Sequence, residues 1–113
     1  MNEEVLTLPF QVKIADSFFK RLKGLMFSRN PIKDEGLWIV PCNAVHMFFM
    51  RFPIDVVLID ERNKIVRLYP NLKPWRMTKP VKNAYSTLEL PVGTIEKLGI
   101  KIGFIINFQT QNK

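Results

Sequence analysis

Cysteine is nearly absent from this 113-residue chain: Cys42 is the single one, so no internal disulfide can form, and a reducing compartment fits better than a secreted scaffold. Histidine is equally scarce, with His46 alone. A closed structural zinc site would therefore need carboxylates to complete its ligands. The first ten residues carry Glu3 and Glu4 and lack both a basic start and a continuous apolar run, so no signal peptide is expected. No apolar run approaches the roughly 18 residues a membrane helix needs, because Arg51, Asp55 and Asp60 interrupt the most hydrophobic region. Together these features predict a soluble, cytoplasmic protein. Acidic residues are missing between Arg62 and Lys82, where Arg62, Lys64, Arg67, Lys73, Arg76, Lys79 and Lys82 alone account for the formal net charge of +7. Such a field attracts nucleic acid, anionic lipid or a small anion without choosing among them.

What remains is 47% hydrophobic, with nine Phe and two Trp, enough for one domain over residues 1–113 with a core that needs no staple. LTLPFQVKIA alternates as a strand. Asp16 then precedes SFFKRLKGLMF, whose Phe18, Phe19, Leu22, Leu25 and Met26 recur at helical spacing. GLWIV is a short buried strand. Ala44 to Ile59 is the densest apolar stretch and, broken by Pro53, predicts two strands around a bend. In the second of these, Ile54, Val56 and Leu58 face one way and Asp55, Val57 and Ile59 the other, both faces reading as buried. Asp60 to Lys64 is a hairpin connection with Asn63 suited to a left-handed position, and IVRLY is the return. Pro70, Pro74 and Pro80 predict a long surface loop, AYSTLEL a further strand, TIEKL a helix capped by Thr94 and stopped by Gly99, and residues 103–109 the closing strand. The sum is a mainly β protein, a compact sandwich or barrel with two short helices.

Three blocks carry a family resemblance: Gly24-Leu25-Met26-Phe27; His46-Met47-Phe48-Phe49-Met50 followed by Pro53-Ile54-Asp55; and LELPVGTIEKLGIKIG, residues 88–103. The chain resembles the domain-of-unknown-function family 192 over most of its length. That resemblance implies a compact β sandwich or barrel with short helices, and no established activity. Many members carry Trp-Met-Lys-Asn-Thr before a Pro-Leu-Asp step. Here Phe49-Met50-Arg51-Phe52 stands there, without a counterpart of the Asn-Thr pair.

Cys42, His46 and Met50 are soft or borderline metal ligands, with Met47 beside them, and Cys42 with His46 is the minimum for thiol catalysis. In an extended segment the two would lie roughly 13 Å apart, so neither a metal, another cofactor nor a catalytic pair is expected. Asp55, within an apolar run, must be satisfied if buried. It either accepts backbone N–H groups at the Pro53 bend or pairs with Arg51, or it lines a pocket with His46 and Glu89. Trp75 either anchors its loop or stacks on a ligand beside Lys73 and Arg76. The leading expectation is a binding domain for a small polar or anionic molecule, with His46, Met50, Arg51, Asp55, Trp75, Arg76 and Glu89 as candidate residues. Nucleic-acid binding through residues 62–82 is an alternative, and a hydrolase using Asp55 and Glu89 another.

Overall fold

The computed structural model describes residues 3–17, 20, 21, 24–26 and 28–111. Among them, six strands form one sheet: β1 (Val5–Ala15), β2 (Glu35–Ile39), β3 (Ile54–Ile59), β4 (Ile65–Leu72), β5 (Ser86–Pro91) and β6 (Ile105–Gln111), in the spatial order β4-β3-β5-β2-β1-β6. The β1 pairings with β2 and β6 are parallel, and the other three are antiparallel. The two outer strands approach at an isolated Lys64–Ile105 bridge, where Ile65 N–H donates to Phe104 O and Gly103 N–H to Ile65 O. The sheet thus curls until its edges touch, which removes part of the edge-strand hazard.

Period-two alternation along β3 assigns its two faces to two different cores. Val57 and Ile59 join Leu8, Val12, Leu88, Leu90 and Ile106 on the inner side of the curl. Ile54, Val56 and Leu58 join Val45, Met47, Met50 and Phe52 on the outer side, under the loops. All six β3 residues are buried, matching the reading of two hidden faces.

One short helix, α1 (Thr94–Leu98), is named among the described residues, rather than two. The other expected helix falls across residues 17–27, of which Phe18, Phe19, Leu22, Lys23 and Phe27 lie outside the described residues. At its start the Ser17 hydroxyl, not Asp16, accepts from Lys20 N–H. α1 ends at Gly99, φ 67°, as its sequence suggested, but its N-cap is Gly93, while the Thr94 hydroxyl donates to Pro91 O.

Two other expectations need correction. Residues 44–52 form no continuous strand; only a single His46–Met77 bridge is present. Their backbone groups pair sparsely with the loop after β4: Met47 N–H donates to Arg76 O, Trp75 N–H to Met47 O and Thr78 N–H to Val45 O. Conversely, β4 runs through Pro70. The strand is at an edge, and the pairings Ile54↔Leu72 and Val56↔Tyr69 leave an extra residue there, a bulge in which the missing proline N–H costs no ladder bond.

Candidate ligand-binding site

β5 places Thr87 and Glu89 on the outer side of the sheet, since Glu89 stands opposite Val56 and Thr87 opposite Leu58. The turn at residues 24–26 and the loop at residues 42–50 cover this face and leave a cavity of about 30 Å³. Glu89, Gly24, Cys42, His46, Met50 and Arg21 are among its lining residues. About 10–15 Å³ of such space holds one water, so the cavity admits a small polar group of two or three non-hydrogen atoms.

Glu89 is 4% exposed, and its Oε1 has no hydrogen-bond partner among the described residues. Burial penalises the charged carboxylate and pushes its pKa from the ordinary 4.5 up to about 7, and the Leu25 backbone N–H, donating to the carboxyl group, offsets only part of this. Gly24, at φ 49°, keeps the approach to the carboxyl open: a Cβ there would lie 3.2 Å from Oε1. The site therefore holds a carboxyl group poised between acid and carboxylate, with one oxygen unserved.

His46 and Cys42 border the same cavity, although an extended segment would have held them apart. The irregular backbone brings them together. His46 Nδ1 accepts from Phe48 N–H at 3.3 Å. The Cys42 thiol donates to Ala44 O at 2.9 Å, so its hydrogen is already engaged. No group of three or more His, Cys, Asp or Glu side chains suited to a metal occurs among the described residues.

Asp55 belongs elsewhere. It stands opposite Leu90 on the inner side of the sheet, the face turned away from Glu89. Its Oδ1 accepts from Asn71 N–H at the β4 bulge and its Oδ2 from Ile95 N–H in the first turn of α1, each at 2.8 Å. The backbone satisfies it as one of the two alternatives had it, with different donors: neither the Pro53 bend nor Arg51 supplies them. Because Asp55 and Glu89 point to opposite faces, they cannot act as acid and base on one substrate, and Asp55 is not among the lining residues of the cavity that His46 borders.

Arg51, Trp75 and Arg76 are exposed, outside the cavity lining. Trp75 is 59% exposed and joins a ring chain: His46 to Phe48 at 5.2 Å, Phe48 to Trp75 at 6.0 Å and Trp75 to Phe49 at 5.0 Å between centroids. Of the predicted candidates, His46, Met50 and Glu89 are brought together. Gly24 and Leu25, which shape the space around Glu89, gave no signal beyond their place in the Gly-Leu-Met-Phe block.

The family profile described as an uncharacterized ACR, domain-of-unknown-function family 192, matches residues 2–108. A UPF0127 protein of Thermococcus sibiricus is 37% identical over 108 residues, covering 91% of this chain and 69% of the relative. A crystal structure of a protein of unknown function from Novosphingobium aromaticivorans superposes with a TM-score of 0.74 at 25% identity, covering 83% of this chain and 71% of the other. A Sinorhizobium meliloti protein provisionally described as a transcription regulator has a TM-score of 0.72 at 25% identity, covering 81% and 76% respectively.

Proposed function

The chain belongs to the domain-of-unknown-function family 192, and we propose that it is a binding domain whose Glu89 carboxyl receives the small, hydrogen-bond-donating end of a polar ligand. The supporting observation is the unpartnered Oε1 of a buried side chain, aimed at a cavity it shares with His46 and Cys42. Leaving such an oxygen empty costs about 1–3 kcal/mol, so a donor that fills it is favoured. The cavity size limits what enters to a single ammonium, amide or hydroxyl group, with the rest of the ligand outside. Glu89 can meet a neutral donor as an acid, or a cationic one as a carboxylate after losing its proton. A strongly anionic end does not fit, which narrows the expected polar or anionic ligand to a polar or cationic one.

A thermal-shift series with acetamide, methylammonium and ethanol tests this reading. A ligand at 100 times its Kd stabilises by about 2.7 kcal/mol, readily seen as a rise in Tm. The rise should be present in the native protein and absent in Glu89→Leu. No shift with any of the three, together with a fixed water on Oε1 in a high-resolution crystal structure, would defeat the proposal.

A further inference from the structure

We propose that the two loops outside the Glu89 cavity form a binding surface for single-stranded nucleic acid, in which exposed aromatic rings receive bases and flanking cations hold phosphates. Four observations carry it. Phe48, Phe49, Trp75 and Met77 are 37%, 50%, 59% and 67% exposed, an unusual concentration of large apolar groups on two adjoining loops. The loops are joined by the Met47, Trp75 and Thr78 backbone hydrogen bonds, so the rings are displayed from a braced support.

Phe49 and Trp75 both have positive φ, 62° and 69°. For bulky side chains this backbone form costs energy and is retained at sites where it serves a purpose. Here both residues carry rings that are half or more exposed. The rings meet at interplanar angles of 32° for Phe48 with Trp75 and 61° for Phe49 with Trp75. The rings therefore do not form one flat platform, an arrangement that suits unstacked bases met one at a time better than the closed edge of a duplex.

The charge is of one sign. Residues 41–54 and 62–88 contain no carboxylate, while Arg51, Arg67, Lys73, Arg76, Lys79 and Lys82 are all exposed. Beyond Arg67 the balance changes: Lys64 pairs with Glu3 at 3.4 Å, and Asp60 and Glu61 stand beside Arg62. The cations do not simply ring the aromatic tip. One of them, Arg67, stands back along β4, about 17 Å from the strand's last residue at ~3.3 Å per residue. A flexible polyanion can reach from the tip to Arg67, whereas a flat anionic membrane would meet mainly the tip. The inference is independent of the Glu89 cavity.

Fluorescence anisotropy with a labelled single-stranded oligouridylate tests it. Binding should weaken steeply between about 50 and 200 mM salt, and Lys73→Ala with Arg76→Ala should reduce the slope of log K against log salt by about 1.4. Trp75→Ala and Phe49→Ala should each weaken binding by about 5- to 150-fold, with unchanged far-UV circular dichroism. Absence of binding at low salt overturns the proposal. So does an aromatic-to-alanine series without effect, which would leave only diffuse charge attraction, or equal affinity for duplex RNA. Binding to phosphatidylserine vesicles without binding to the oligonucleotide would assign the surface to a membrane and also overturn it.

Discussion

Replacing Glu89 by Gln should make the protein more stable at alkaline pH and leave it nearly unchanged in acid. The buried carboxyl holds its proton up to about pH 7, whereas in the unfolded chain it releases it near 4.5. Between these values the folded state binds more protons, so its stability falls as pH rises: the favourable contribution is complete below 4.5 and lost above 7. That separation corresponds to about 3 kcal/mol at pH 8, or a Tm difference of roughly 10–20 °C for a domain of this size. Gln has nearly the same shape and can still accept from Leu25 N–H, but it never pays the cost of a buried charge. Urea unfolding followed by circular dichroism, for native protein and Glu89→Gln across about pH 4 to 8, measures the difference, and other titrating groups largely cancel in it. A difference that stays constant across this range would refute the burial argument. A difference that grows but is abolished by a ligand of the cavity would instead support the proposed binding role.

Asp55→Asn should destabilise the protein by about 2–4 kcal/mol in urea unfolding, because an amide nitrogen would face either Asn71 N–H or Ile95 N–H where a carboxylate oxygen now accepts. Gly24→Ala should cost about 1–2 kcal/mol through its left-handed backbone, and its methyl, 3.2 Å from Glu89 Oε1, should abolish any ligand-induced thermal shift. Trp75→Ala should leave the free energy of unfolding within about 0.5 kcal/mol of native, since the ring is largely exposed; a larger loss would mean that it anchors the loop.

The strands were legible wherever one residue's neighbours in sequence decided its environment. Alternation in β3 announced two buried faces, and Gly99 and Asn63 announced left-handed backbone that the structure confirms at φ 67° and 64°. Ala44 to Phe52 differs from its strand-like sequence because apolar composition does not distinguish a strand from a loop folded down over a sheet. Its hydrogen bonds go to residues about thirty positions away, and no local pattern records that. The β4 strand runs past Pro70 for a related reason: a bulge tolerates a missing N–H, and Asn71 N–H at that bulge donates to Asp55, a side chain sixteen residues earlier.

The two buried carboxylates show most clearly where sequence reasoning ends. Asp55 and Glu89 carry the same signal, an acid inside an apolar strand, and both are hidden, at 1% and 4% exposure. Their strands are paired so that Asp55 meets Leu90 and Glu89 meets Val56, which sends one to each side of the sheet. On the inner side, the β4 bulge and the first turn of α1 supply two N–H groups, and the charge becomes a structural tie between three elements. On the outer side, the described residues of the covering segments supply one N–H and a void, and the same functional group becomes an acid with one oxygen unpartnered among them. What separates a structural acid from a candidate binding acid is therefore the count of donors brought by distant chain segments. That is why Glu89, rather than the more conspicuous Asp55, is the residue on which a ligand search should begin.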